Sequence, residues 1–447
     1  MPRFFISAAH KSSGKTVVST GLAAALSQGQ DVRTFKKGPD YIDPMWLGAA
    51  SGRPCYNLDF NTMPEAELLA LYTSRAEGDI ALIEANKGLY DGVALDGADS
   101  NAALAKLLKA PVVLVIDTVG TTRGIAPLLV GYQAFDPDVN IAGVILNKVG
   151  GPRHEAKLRS AVQAYTDIPV IGAIGKHADL EIGERHLGLT TPGETGAFKA
   201  QIARIGEIVG ESVELGRLRE IAASAPRMAP VIQPAPHSGA KVRIGIARDT
   251  AFGFYYADDL EALEAAGAEL AFFNALTDAQ LPKVDGLFIG GGFPETQMKK
   301  LEANASLRAD IKARIEAGLP TYAECGGLMY LCESLSWQGE CRQMVGAVKG
   351  DAVMNERPQG RGYTRMKALG GMWEKGTEVL AHEFHYAQVD NLPDTTEFAY
   401  EVLRGHGIDG KNDGVMAHNM LAGFCHLRHS EATPWATRFV EFVRSKA

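Results

Sequence analysis

With 447 residues, 46% hydrophobic and 22% charged, the chain is long enough for two or three domains and is composed like an ordinary globular protein. Its formal charge of −8 excludes general binding to nucleic acid or to an anionic membrane, since both reward clustered Lys and Arg, but leaves room for a local basic pocket that takes small anions. No uncharged run reaches the roughly 18 residues of a membrane span, Met1–Ser7 has no apolar signal segment, and Cys55, Cys325, Cys332, Cys341 and Cys425 lie scattered without a CxxC pair, so the expectation is a cytoplasmic chain with neither a disulfide framework nor a zinc site.

The first expected elements are strands Phe4–Ala8, Val32–Phe35, Ile80–Ile83, Val112–Ile116, Ile141–Leu146 and Val170–Ile174, short apolar runs rich in β-branched residues, with helices Thr16–Leu26, Asn101–Leu108 and His154–Tyr165 among them. Continuous apolar strands alternating with helices predict a parallel sheet covered on both faces. Residues 222–240, with Pro226, Pro230, Pro234 and Pro236, carry no periodicity and read as a linker between a first domain, 1–221, and a second, 241–447. The pattern then restarts with strands Val242–Ala247, Ala271–Phe273, Leu287–Ile289 and Thr321–Ala323 and helices Leu260–Ala266, Leu307–Ala317 and Gly327–Leu335. The expected fold class is α/β in both halves.

Ala9-His10-Lys11-Ser12-Ser13-Gly14-Lys15-Thr16 follows the first strand and opens an Ala-rich helix, which is the pattern and the context of a phosphate-binding loop. In such a loop the backbone N–H groups hold phosphates, a lysine in the place of Lys15 reaches the outer ones, and a hydroxyl in the place of Thr16 takes Mg²⁺. Metal or substrate carboxylates are expected at the carboxyl ends of the strands, where Asp40, Glu84 and Asp117 fall, although each reads equally well as a loop residue or a helix cap. Lys36 and Lys37, at the end of the second strand, suit a multiply charged anion or a solvated surface.

In the second half, Ala323-Glu324-Cys325-Gly326-Gly327 sets a cysteine between a short strand and a helix with small residues on both sides, as in a nucleophile elbow. Acyl transfer to a thiol also needs a base and oxyanion donors. Gly291 and Gly292 in Gly290-Gly291-Gly292-Phe293-Pro294-Glu295 offer bare backbone N–H groups, and Ala422–His429 supplies His426 and His429. His382 and His385 are three apart, whereas a zinc helix needs four, so no metal is expected there.

These stretches, taken with Phe35–Pro44, Asn57-Leu58-Asp59, Glu84–Gly92, Asn147-Lys148-Val149, Glu184–Leu189, His382–Tyr386 and the His426 region, resemble the cobyrinic acid a,c-diamide synthase family over essentially the whole chain. The resemblance implies a dethiobiotin-synthetase-like P-loop domain followed by a class I-type glutamine amidotransferase domain. It implies that ATP, with Mg²⁺, phosphorylates a tetrapyrrole acetate side chain, and that ammonia from glutamine converts the acyl phosphate to an amide. By the same resemblance Ser12, Ser13, Gly14, Lys15, Thr16 and Asn147 serve ATP, and Thr16, Glu84 and Asp40 serve the metal. Lys36, Tyr41, Asp43 and Asp91 border the tetrapyrrole, Cys325 is the thioester nucleophile, His426 is its base, and a homodimer is allowed.

Three places depart from the family's pattern: His10-Lys11-Ser12-Ser13, Met45-Trp46-Leu47, and Arg428, which stands where ordinary amidotransferases have a Glu. Arg428 leaves the Cys–His dyad intact, whereas the first two departures fall on the substrate side and set amidation of sirohydrochlorin or siroheme beside cobyrinate or hydrogenobyrinate as an alternative. A P-loop partitioning ATPase would carry a lysine where His10 stands and would leave the second half unexplained. A stand-alone glutaminase would leave Gly14-Lys15-Thr16 unexplained.

Overall fold

Strands such as Phe4-Phe5-Ile6 and Val112–Ile116 have no polar face, so they are stable only with helices on both sides of the sheet. In the computed structural model, which describes residues 1–185, 188–190, 198–229 and 240–447, they obtain that cover. Two units separate, Met1–Gln233 and Pro234–Ala447.

The first unit runs β1 (Arg3–Ala8), α1 (Lys15–Leu26), β2 (Val32–Lys37), α2 (Ile42–Ser51), β3 (Cys55–Leu58), α3 (Glu65–Arg75), β4 (Ile80–Glu84), α4 (Asn101–Leu107), β5 (Val112–Asp117), α5 (Ile125–Phe135), β6 (Ile141–Val149), α6 (Pro152–Tyr165) and β7 (Val170–Gly175). Short strands β8 (Glu184–Arg185) and β9 (Gly188–Leu189) and helices α7 (Phe198–Ser212) and α8 (Leu215–Ala223) follow. β1 to β7 form one parallel sheet in the order β3-β2-β4-β1-β5-β6-β7. β1 therefore lies between β4 and β5, and the loop after it opens at the carboxyl ends of the central strands, where an open α/β sheet forms its crevice. α1 lies tightly on α7: a Cβ on Gly21 would come within 2.5 Å of Val209 Cγ2.

Three features differ from the expectation for this unit. β2 continues through Lys36 and Lys37, both of which are buried rather than solvated. β3 was not anticipated, because Cys-Tyr-Asn-Leu is short and interrupted by Asn57, whose side chain is taken up by the carbonyls of Gly38 and Asp40. α8 reaches two residues into the segment read as a linker, whose residues 230–239 lie outside those described, as do His186 and Leu187 of the Glu184–Leu189 motif.

The second unit runs β10 (Val242–Ala247), β11 (Phe252–Phe254), α9 (Ala257–Ala265), β12 (Ala268–Phe273), β13 (Gly286–Ile289), β14 (Gly291–Gly292), α10 (Pro294–Ala303), α11 (Ala305–Glu316), β15 (Thr321–Glu324), α12 (Gly326–Leu331), β16 (Ser334–Trp337), β17 (Glu340–Gln343), β18 (Asp351–Met354), β19 (Gly360–Ala368), β20 (Glu378–His385), β21 (Ala387–Asp390), β22 (Glu397–Arg404), β23 (Asn412–Ala417), β24 (Met420–Gly423), β25 (His426–Leu427) and α13 (Trp435–Lys446). Its large sheet has the order β12-β10-β13-β15-β24-β23-β22-β19-β20-β25. The first five strands are parallel and the rest antiparallel. Only two residues separate β24 from β25, so the antiparallel part curls until its far edge returns beside β24 and brings His426 to the strand that carries Cys325.

The helix expected over Gly327–Leu335 is a correction: it spans Gly326–Leu331, and Ser334–Trp337 is a strand. Leu328 to Cys332 and Leu335 are all buried, so the run has no polar face from which a helical period could be told from a strand. Among the described residues no helix is long and apolar enough to cross a membrane.

Candidate active sites in the two units

The phosphate loop of the first unit is shaped by left-handed backbone at Ser12 (φ 64°) and Gly14 (φ 82°), the second forming the N-cap of α1. A side chain at Gly14 would also collide with Asn147, whose amide donates to Ser13 O at 2.9 Å and so braces the loop from β6. Tyr132 donates to Ala9 O at 2.7 Å from α5. Lys15 is buried at the start of α1; burial first, and then the charge of Lys36, lower its pKa to about 8. Glu84, Asp43 and Asp91 act in the opposite direction without overcoming burial, and a phosphate would add to them.

Beside it lies a cluster that only strand register could assemble. Lys36 and Glu84 are partners across β2 and β4. Lys36 Nζ lies 2.7 Å from Glu84 Oε1, 2.5 Å from Asp43 Oδ2 and 3.1 Å from Ala85 O. Burial acts to lower its pKa, but Asp43 and Glu84 reverse that and hold it above the usual lysine range. Thr16 Oγ1 donates to Glu84 Oε1 at 3.0 Å, while Glu84 Oε2 is buried with no hydrogen-bond partner among the described residues. Burial, more than any neighbour, pushes the Glu84 carboxyl up.

The other expected residues of this unit divide. Asp43 joins the cluster, and Asp40 lies against Asp43 at its edge, where its Oδ1 accepts the N–H groups of Ile42 and Asp43 at 3.0 and 3.1 Å and caps α2. Burial and then Asp43 raise the Asp40 pKa to about 7. Tyr41 is buried at the N-cap of α2. Asp91 Oδ2 accepts Gly88 N–H at 2.9 Å, closing the turn after β4. Asp117 pairs with Lys148 at 2.8 Å. Among the described residues no three His, Cys, Asp or Glu side chains are grouped to hold a metal by themselves.

In the second unit Cys325 follows β15 with φ 48° and ψ −103°, a conformation that costs a non-glycine residue energy and that recurs where structure holds a group in place for chemistry. Its N–H donates to Gly423 O at 2.7 Å, which locks the turn to β24. The turn leaves no room for side chains: a Cβ on Gly327 would lie 2.1 Å from Ile289 O, and one on Gly326 would lie 3.1 Å from Gly292 N. Gly291 and Gly292 are thus brought against the cysteine turn, held there as β14 by antiparallel pairing with β11. The N–H of Gly290 is taken up by Tyr255 Oη at 3.0 Å.

His426 comes to the same place from β25 and is hydrogen-bonded to Cys325. Burial acts to lower its pKa, but the bonds to Cys325 and Glu324 outweigh burial and hold it at about 10. His382 lies across the ladder from it, the two rings stacked at 4.9 Å and 16°. Burial, and then the charge of His426, keep His382 well below the ordinary imidazole range. His429 is not brought to the cysteine; it lies beside Arg428 and its pKa is lowered to about 4, by burial first. His385 is stacked on Phe424 and bonded through Nδ1 to Ala387 O at 2.7 Å, a core position.

Comparison with known proteins follows these two sites. Residues 5–189 match the CobQ/CobB/MinD/ParA nucleotide binding domain, and residues 243–433 match the CobB/CobQ-like glutamine amidotransferase domain. A cobyrinate a,c-diamide synthase of Magnetococcus marinus is 44% identical over 457 residues, covering 100% of this chain and 98% of that one. One of Methanosarcina acetivorans is 43% identical over 96% of this chain and 92% of its own, and one of Archaeoglobus fulgidus is 39% identical over 100% and 98%. The chain belongs to the cobyrinate a,c-diamide synthase family.

As a family member it is a glutamine-hydrolysing amide synthase with a nucleotide-binding domain, which implies the use of ATP. The amidotransferase match excludes a partitioning ATPase, and the nucleotide-binding match excludes a stand-alone glutaminase. Two features of the sites escaped the reading of motifs. Glu324 and His382 both lie in stretches that carry the family resemblance, but the motifs assign neither a role of its own. For Glu324 the available signal is its place beside Cys325; for His382 it is its place in the His382–Tyr386 stretch, and its contact with His426 depends on the pairing of β20 with β25.

Proposed function

We propose that this member of the cobyrinate a,c-diamide synthase family phosphorylates the a and c acetate side chains of cobyrinate or hydrogenobyrinate with ATP and Mg²⁺ in its first unit. The acyl phosphates are then aminolysed by ammonia that Cys325 and His426 release from glutamine in the second. The observation that carries this reading is the buried cluster of Thr16, Lys36, Asp43 and Glu84 at the end of a phosphate loop, in one chain with a hydrogen-bonded Cys–His pair. The relatives at 39–44% identity are named for cobyrinate, which favours the corrinoid over sirohydrochlorin.

The donor set fits a magnesium ion. Such ions take one or two protein oxygens and complete their shell with water and phosphate oxygens, and the Thr16 hydroxyl and the unpartnered Glu84 Oε2 are of that kind. Bound there with ATP, the ion would neutralise developing phosphate charge. Lys15 would hold the outer phosphates, and the backbone of Ser12, Ser13 and Gly14 the inner ones. Asn147 keeps the loop in shape. Lys36 and Asp43, with Tyr41 beside them in sequence and Asp91 in the turn after β4, would orient the substrate acetate toward the transferred phosphoryl group. In this reading Asp40 caps α2 and does not bind the metal.

In the second unit Cys325, with its proton held on His426, attacks the glutamine carboxamide as the thiolate. The backbone N–H groups of Gly291 and Gly292 are placed to receive the oxyanion, the proton on His426 leaves with ammonia, and water then frees glutamate. Mass spectrometry of products formed from cobyrinate, hydrogenobyrinate, sirohydrochlorin and siroheme, each with ATP and glutamine, tests the whole. A diamide from cobyrinate or hydrogenobyrinate is expected. Products from sirohydrochlorin or siroheme alone would move the chain to the other branch.

A further inference from the structure

We infer that Glu324, the residue immediately before the nucleophile, is the positioning carboxylate of the glutaminase site, orienting the His426 ring and stabilising the imidazolium that forms when Cys325 gives up its proton. The inference rests on the reading of Cys325 and His426 as nucleophile and base. Glu324 Oε2 lies 3.3 Å from His426 Nδ1, which leaves the other ring nitrogen for the thiol. Its Oε1 accepts Tyr322 Oη–H at 2.6 Å and Leu427 N–H at 2.9 Å. One buried carboxylate therefore fixes both the ring of His426 and the backbone that follows it.

The remaining acids near β25 are committed elsewhere. Asp258 lies 2.6 Å from Arg428, and Asp259 accepts His429 N–H and Trp435 Nε1–H. Asp413 accepts the N–H groups of Phe424 and Cys425, and Glu383 accepts those of His406 and Gly407. Arg428, two residues beyond the base, faces Tyr256 at 4.2 Å and these aspartates, so a carboxylate arriving from the nucleophile's own strand does what a residue after the histidine cannot do here. Other groups facing or flanking His426 are Cys325, whose bond also favours the positive imidazole but whose sulfur is consumed when it attacks, the ring of His382 and the cation of Arg428; Glu324 is the carboxylate that stays beside the ring throughout.

The test uses the full chain and its glutaminase reaction. Glu324→Gln keeps an oxygen for Leu427 N–H and Tyr322 Oη–H, so a merely structural role would survive it. We expect kcat to fall about 10- to 100-fold with KM for glutamine within about twofold. The alkaline limb of the kcat–pH profile should move to lower pH by about one unit or more, because the imidazolium loses its counter-charge. Glu324→Asp, which retains the charge, should leave that limb near its original place even where the rate is low. A Glu324→Gln enzyme with the original limb, or a Glu324→Asp enzyme whose limb has moved, overturns the inference. If Glu324→Gln does not fold, the limb of Glu324→Asp alone decides it. Glutaminase activity in Cys325→Ala would instead sink the reading of the site on which the inference rests.

Discussion

The Thr16 hydroxyl donates to Glu84 Oε1 at 3.0 Å, tying the first turn of α1 to the end of β4, and Lys36 reaches the same oxygen at 2.7 Å. A phosphate loop, a carboxylate and an ammonium thus share one oxygen atom. Glu84→Gln keeps the shape of this contact but removes the charge that the proposed divalent ion would need. Amidation should fall at least about 100-fold with either glutamine or an ammonium salt as nitrogen source, while glutamine hydrolysis persists. Parallel assays with the two nitrogen sources check this, and an ammonia-dependent rate near that of the unaltered enzyme would remove Glu84 from the activation step.

Lys15 has a pKa lowered to about 8, chiefly by burial. Only its protonated form attracts phosphate, and bound phosphate raises the pKa again, so ATP binding takes up a proton above pH 8. Affinity should therefore drop about tenfold between pH 7 and pH 9. Lys15→Arg, always charged, should bind with no such decline, and Lys15→Ala should lose binding and amidation together. Calorimetric titration with a non-hydrolysable ATP analogue at the two pH values measures the difference.

Much of this was legible in the sequence wherever the determinant is local. Gly14-Lys15-Thr16 needs only a strand before it and a helix after it, and Cys325 announces its turn through Ala323, Gly326 and Gly327. The Lys36–Glu84 pair could not be read, because it depends on the register of β2 against β4, two strands separated by two helices and β3. Glu324 and His426 are 102 residues apart and meet only because the antiparallel strands curl back. Those strands were themselves obscure. β19, Gly-Arg-Gly-Tyr-Thr-Arg-Met-Lys-Ala, does alternate buried and exposed residues toward its end, but its glycines and arginines hide the period.

His429 supplies an acid-sensitive element. Its pKa is lowered to about 4, by burial first and then by Arg428, and its Nδ1 is buried without a partner among the described residues. A base whose folded pKa lies below its unfolded value of about 6.5 stabilises the fold fully above that value and loses this contribution as pH falls toward 4. The loss should be about 2 kcal/mol at pH 5. Thermal unfolding of the second unit between pH 7 and pH 5 should accordingly show a smaller decline in His429→Asn than in the unaltered chain. Equal declines would place the acid sensitivity elsewhere.

The division of chemistry between two sites makes its sharpest demand on Cys325. In the proposed reading the strained turn, the bond to His426 and the glycines of β14 together serve to release ammonia from glutamine, and none of them would be required once ammonia is supplied from solution. Cys325→Ala should lose glutamine-dependent amidation by about three orders of magnitude or more, yet keep most of its activity with concentrated ammonium salt at alkaline pH, where free NH₃ is abundant. His426→Ala should behave in the same way with a smaller loss, because a thiol is partly ionised near neutral pH without a base. Product amide, quantified by mass spectrometry with ¹⁵N-labelled glutamine or ¹⁵N-labelled ammonium, separates the two nitrogen sources within one reaction. Undiminished incorporation from labelled glutamine in Cys325→Ala would exclude this cysteine as the nucleophile. Loss of incorporation from labelled ammonium, in a variant with an unchanged melting temperature, would show instead that Cys325 takes part in making the amide itself.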